Sequence, residues 1–124
     1  MSNSEITILI AEDEADLLEI CTDIFEIEDF QVLGACNGEE ALNIFLNNHV
    51  DLILSDSHMP KMGGLELLEK IQDGPKKLPP FFLLTGDIGL AEEELKEKGA
   101  TGLISKPFDL DEILATVTNI FKAR

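Results

Sequence analysis

Five positions in this chain of 124 residues carry side chains that could do chemistry together: Glu12, Asp13, Asp56, Thr85 and Lys106. Each stands directly after a short apolar run, where a buried strand would have to end. Three carboxylates crowded together repel one another and hold protons more tightly, so such a cluster makes sense only around a positive charge. With oxygen donors and no soft ligand, the fitting ion is Mg2+, or Mn2+ in its place. Lys106 adds a point charge suited to a phosphate oxygen, and Thr85 adds a hydroxyl. Two acids, a hard cation, a lysine and a hydroxyl around one further acid make a phosphoryl-transfer site in which Asp56 is the nucleophile, and an aspartyl phosphate would form there. Such a transfer needs in-line positioning and charge neutralisation more than a general base, so no His or Cys is required at its centre. Alone, Asp56 would read as a turn former or a helix cap. The expectation depends on the chain bringing all five positions to one edge.

The elements that must do so can be read in order. The run from Ile6 to Ala11 is rich in β-branched residues and stops at Glu12-Asp13-Glu14, which predicts a first strand. From Asp16 onward Leu17, Ile20, Cys21, Ile24, Phe25 and Ile27 recur at helical spacing. Gln31 to Ala35 predicts a short second strand, followed by a helix capped at Asn37, with Glu40 completing a pair like a capping box and Ala41, Leu42, Phe45 and Leu46 on its apolar face. The stretch Asp51 to Asp56 predicts a third strand, and Ser57 to Gly64 a loop over the sheet edge. Leu65, Leu67, Leu68 and Ile71 mark a third helix ended by Asp73-Gly74-Pro75. Phe81 to Leu84 predicts a fourth strand, whose prolines at 79 and 80 are tolerable only at its start. Asp87 can cap a charged helix over 88–98 that Gly99 stops. Gly102 to Ser105 predicts the fifth strand, broken by Lys106-Pro107, and Asp109 and Glu112 frame a last helix running almost to the end. Five strands alternating with five helices through short connections predict an α/β, doubly wound fold: a five-stranded parallel sheet covered on both faces, with every polar anomaly at the carboxyl ends of the strands.

Composition narrows the function classes. The 25 acidic residues against 9 basic ones give a net charge of −16, which argues against nucleic-acid binding through phosphate neutralisation. No apolar stretch is long enough for a membrane span, and the first residues lack the pattern of a signal peptide, so a cytoplasmic location is expected. Cys21 and Cys36 fall within apolar patterns without CxxC spacing and read as small buried hydrophobes. Met59, Met62, Phe81 and Phe82 read as packing. No Gly-rich phosphate loop follows the first strand, which argues against a flavodoxin-like nucleotide binder. The length fits a single domain, 1–124.

With these motifs in place, Glu12-Asp13, Asp56 followed by Met59-Pro60 and Gly63-Gly64, Thr85-Gly86, Gly99-Ala100 and Lys106-Pro107-Phe108, the chain resembles the receiver domain of two-component response regulators. The resemblance spans Ile6 to Phe121. It implies a flavodoxin-like (βα)5 fold and a phosphoacceptor role for Asp56, supplied by a sensor histidine kinase or a histidine phosphotransfer protein. It implies further that Asp13 and Asp56 ligate the metal, Glu12 acts mainly through water, and the backbone carbonyl of His58 completes the protein ligands, while Thr85 and Lys106 contact the phosphoryl oxygens. A cis Lys106-Pro107 bond is also implied. The family position that usually carries an aromatic switch residue working with the threonine is here Leu103. His58 and Asp87 stand where the family tunes phosphoryl lifetime. The reading is a single-domain regulator with no output domain, not an enzyme beyond its own phosphorylation and dephosphorylation, acting on a downstream protein through the fourth helix, fifth strand and fifth helix, as a monomer or a phosphorylation-dependent dimer. The alternatives are an aspartate-nucleophile phosphatase, whose second acid would fall at His58, and a receiver-like scaffold that no longer needs phosphorylation.

Overall fold

The computed structural model describes residues 2–86, 92–107 and 109–122. A single 3-10 turn at Asn3–Glu5 precedes five parallel strands: β1 (Thr7–Ala11), β2 (Gln31–Ala35), β3 (Leu52–Asp56), β4 (Phe81–Thr85) and β5 (Gly102–Ser105). Between and after them lie α1 (Ala15–Ile27), α2 (Gly38–Asn47), α3 (Gly64–Asp73), α4 (Glu92–Glu97) and α5 (Leu110–Lys122). The strand order is β2-β1-β3-β4-β5, the doubly wound parallel sheet expected from the alternation of elements.

The pleat sorts the strand residues between two cores. Ile8 and Ile10, Leu52 and Leu54, Phe82 and Leu84, and Ile104 pack with Cys21 and Phe25 of α1 and Ile113 and Val117 of α5. Their neighbours Leu9, Ala11, Ile53, Phe81 and Leu83 pack on the other side with residues of α2, α3 and α4, including Ala41, Phe45, Leu68 and Leu95. Both faces of β3 and β4 are thus buried, which is why they are apolar without alternation. Each Ile, Leu or Phe so enclosed contributes about 1.5–3 kcal/mol through the area removed from water.

Local chemistry sets the ends. Asn37 caps α2 by accepting the Glu40 N–H at 2.8 Å. The Glu40 carboxylate reaches back to the N–H of Cys36 at 3.3 Å, one residue earlier than a capping box would have it. Beyond α4, Gly99 adopts φ +109°, and a Cβ there would strike the Gln72 amide. That amide in turn holds the Lys98 carbonyl at 2.7 Å. Asp87, Leu90 and Ala91, to which sequence assigned the start of the fourth helix, lie outside the described residues, as does Phe108.

Three expectations need correction, the first being Leu46 of α2, which is 42% exposed where the helical spacing put it on the apolar face. Cys36 is exposed, because β2 is an edge strand and ends one residue earlier; its thiol donates to Glu40 Oε2 at 3.5 Å. On α1 only Cys21 and Phe25 are fully enclosed, while Ile20 is 45% and Ile27 78% exposed. Those two fall at the margins of a stripe wider than the surface the sheet offers.

Candidate functional site

The same pleat that sorts the core delivers the polar residues. Glu12 follows Ile8 and Ile10 at the next step of their row, Asp56 follows Leu52 and Leu54, and Lys106 follows Ile104. All three meet: Lys106 Nζ lies 2.7 Å from Asp56 Oδ1 and 3.7 Å from Glu12 Oε1. Asp13, exposed beside them, completes a set of three carboxylates whose oxygens approach within 4.8 Å of one another. Thr85 closes the other row of β4, after Phe81 and Leu83, and is 2% exposed. The sheet therefore brings Glu12, Asp13, Asp56, Thr85 and Lys106 to one edge, as their positions after apolar runs predicted.

Backbone hydrogen bonds fix these ends beyond the strands themselves. Glu12 N–H donates to Ala35 O at 2.9 Å, Ser57 N–H to Leu84 O at 3.0 Å, and Lys106 N–H to Thr85 O at 2.8 Å. The Lys106-Pro107 peptide is cis. Below Asp56 the loop returns through Gly64, whose N–H donates to Ser57 O at 3.1 Å. A Cβ at Gly64 would stand 2.5 Å from both Asp56 O and Leu83 Cδ1, so only glycine lets the helix start this close to the strand end. His58 is exposed, and Leu103 is half-buried against the core on the α2–α4 side, with its N–H donating to Glu92 Oε2 at 3.2 Å.

The electrostatics are uneven. Burial pushes the Glu12 pKa up; the Glu14 N–H, which donates to Oε2 at 3.1 Å, pulls it down, Asp56 pushes it up, Lys106 pulls it down, and the net direction is upward. Burial also opposes the charge on Lys106, but its hydrogen bond to Asp56 and the attraction of Asp56 and Glu12 outweigh this and raise its pKa. Glu12 Oε1 is buried and accepts no hydrogen bond. A buried carboxylate oxygen left in this way beside two further carboxylates fits a hard cation, since among the described residues three carboxylates face a single lysine.

Sequence reasoning had no reason to single out Ser57. Its hydroxyl donates to Thr85 Oγ1 at 3.0 Å. The contact follows from register, because Asp56 pairs with Leu84 and the next residues of the two strands come side by side. No composition or spacing signal in a serine after an aspartate would reveal it.

Residues 8–118 match the family model described as the response regulator receiver domain. Sporulation initiation phosphotransferase F of Bacillus subtilis is 33% identical over 107 residues, which cover 86% of this chain and 86% of that protein. Regulatory protein AtoC of Escherichia coli is also 33% identical over 86% of this chain, but this chain spans only 23% of AtoC. A solved complex of CheX and CheY with BeF3 and Mg2+ from Borrelia burgdorferi superposes with a TM-score of 0.83 at 30% identity, covering 94% of this chain and 89% of that one. Among the described residues, no helix is long and apolar enough to cross a membrane.

Proposed function

This chain belongs to the response regulator receiver domain family, the phosphoacceptor modules of two-component signalling, and from that premise we propose that Asp56 is its acceptor and Lys106 and Thr85 the groups that receive the phosphoryl oxygens. The observation that carries the reading is the 2.7 Å contact of Lys106 Nζ with Asp56 Oδ1 in an acidic cluster of which Glu12 and Asp56 are buried. A lysine held there meets an anion on Asp56 without having to be recruited.

In the step itself an Asp56 carboxylate oxygen attacks phosphorus. The new O–P bond forms as the donor's N–P or O–P bond gives its electron pair to the leaving group. The donor would be a histidine kinase or a histidine phosphotransfer protein, or a small acyl phosphate in the test tube. Lys106 shifts its hydrogen bond from the carboxylate to a phosphoryl oxygen, and the Thr85 hydroxyl donates to another. Asp13 and Asp56, with the His58 carbonyl, would hold Mg2+, Glu12 taking part through water. When bound, the cation neutralises charge on the carboxylates and on the transferring group. The phosphoryl group puts about two negative charges in place of the single one on the carboxylate, where Lys106 and Thr85 must respond, and both flank β5. Its output surface is therefore α4, β5 and α5, with Leu103 packed on the core in place of an aromatic switch residue.

Incubation of the protein with acetyl phosphate and Mg2+ should add one phosphoryl group, read by intact mass, and Asp56→Asn should abolish it. Undiminished labelling of that variant would overturn the assignment.

A further inference from the structure

We propose that the start of α2 positions the metal site: Gly38, whose N–H and bare Cα both meet Met62, sets the loop that presents the His58 carbonyl to the cation. The inference rests on the metal-dependent phosphoacceptor reading above and deepens it, naming a residue on a helix that lends the acidic cluster no carboxylate among the described residues.

The loop of residues 57–63 crosses the end of the sheet. At its ends the Ser57 N–H donates to Leu84 O at 3.0 Å and the Gly64 N–H to Ser57 O at 3.1 Å. A further tie comes from another helix: the buried Gly38 donates its N–H to Met62 O at 3.1 Å. That N–H belongs to the first turn of α2, where the helix itself offers no acceptor. The approach is as close as a backbone allows. A Cβ on Gly38 would stand 2.3 Å from Met62 O, 2.8 Å from Met62 Cβ and 2.9 Å from Met62 C. With Ala41 and Phe45 in the core and Asn37 capping its first turn, α2 is the fixed wall and the loop is what must yield.

Met62 passes its position on to His58 along a short, stiff path. Its N–H donates to Pro60 O at 2.7 Å, closing a three-residue turn around Lys61, which stands at φ +67°. The ring of Pro60 fixes the next φ towards His58, and the Met59 side chain between them packs on the core. A metal ligand must lie within about 0.2 Å of its place. A methyl at Gly38 would have to push Met62 O away by about an ångström to reach ordinary contact, so even about a quarter of that motion arriving at His58 exceeds the tolerance. The expected loss is that of a disturbed outer support of a metal ligand, about tenfold or more in affinity.

The test is binding of Mn2+ alone to the full chain, read from the EPR signal of the free ion, with thermal unfolding of the metal-free protein measured alongside. Asp13→Asn should abolish the binding, and Gly38→Ala should weaken it about tenfold or more. Gly99→Ala forces a Cβ into the Gln72 amide just before β5 begins, at the opposite end of the sheet; it should lower the melting temperature and leave Mn2+ affinity unchanged. Pro60→Gly, on the exposed part of the loop, loosens the path without touching α2 and should cost about two- to fivefold. In that background Gly38→Ala should cost less than it does alone. Unchanged affinity in Gly38→Ala, an equal fall in Gly99→Ala, or an undiminished effect of Gly38→Ala in the Pro60→Gly background would each overturn the proposal while leaving the metal site in place. If Gly38→Ala does not fold, Pro60→Gly decides alone, and an affinity equal to wild type overturns the proposal. A wild-type protein that binds no Mn2+, or one whose binding survives Asp13→Asn, would overturn the metal reading as well.

Discussion

Replacing Glu12 with Gln should make the metal-free protein more stable at neutral pH and narrow that advantage once Mg2+ is supplied. Glu12 is 1% exposed and its Oε1 accepts no hydrogen bond. At an effective dielectric constant of about 20, Lys106 at 3.7 Å attracts it by roughly 4–5 kcal/mol, and Asp56 within 4.8 Å repels it by at least roughly 3–4 kcal/mol. Those two nearly cancel. What remains is desolvation of a carboxylate, several kcal/mol, offset by about 1.5–3 kcal/mol from the charged hydrogen bond with Glu14 N–H. The balance is a net cost of about 1–2 kcal/mol, which an amide of the same shape escapes while its oxygen keeps the Glu14 N–H. The pH dependence has a definite sign. Burial raises the folded pKa of Glu12 above its ordinary 4.5, so its contribution to stability is fully present below that value and is lost as pH rises through the raised one. Variant and wild type should therefore have similar stability at about pH 4 and diverge as the pH rises towards 8. At the upper end the variant should melt about 3–8 °C higher. Thermal unfolding followed by circular dichroism in EDTA across that range is the assay. Magnesium at ten times its Kd should then stabilise the wild type by about 1.4 kcal/mol and the variant by less. A variant less stable than wild type at neutral pH in EDTA, or a difference that does not change with pH, would refute the reasoning.

Three further outcomes follow from the same packing. Burial pushes the Cys21 thiol up to about 11, with Glu12 adding to it, whereas Cys36 is exposed; a thiol-disulfide reagent near neutral pH should label one cysteine quickly, Cys36→Ser should remove that phase, and prompt labelling of Cys21 would contradict the packing. Gly64→Ala should cost about 2–4 kcal/mol in urea unfolding, because its Cβ would meet Asp56 O and Leu83 Cδ1 at 2.5 Å, and acetyl phosphate labelling should fall with it; a neutral effect would mean the loop is not pressed against the strand end. Lys76 Nζ donates to Phe45 O at 2.7 Å and Asn48 O at 2.8 Å and lies 5.1 Å from the Phe45 ring centroid; Lys76→Met should lose about 1–2 kcal/mol of stability while Asp56 labels at an unchanged rate.

Much of the fold was legible because hydrophobic runs and breakers are local signals. The run to Ala11 followed by Glu12-Asp13, and the run to Ser105 followed by Lys106-Pro107, mark strand ends by composition alone. Gly99 marks a helix end for the same reason, and its φ of +109° bears this out. Failures came where burial depends on what lies across from a residue. Ile20 and Ile27 share the periodicity of Cys21 and Phe25, yet the sheet covers only the latter pair. Cys36 follows an apolar strand, but that strand is an edge.

By itself, the order of residues determined the alternation of strands and helices, and with it the placement of Glu12, Asp13, Asp56, Thr85 and Lys106 at strand ends. Period and punctuation are properties of neighbours in the chain. Which rows of the pleat those residues extend, and how far apart their atoms stand, depended on strand order and register. Tertiary structure alone set Lys106 Nζ 2.7 Å from Asp56, left one oxygen of Glu12 buried without a hydrogen bond, and brought the Ser57 hydroxyl to Thr85. Contacts between residues dozens of positions apart are decided by pairing across the sheet, and no local pattern encodes them.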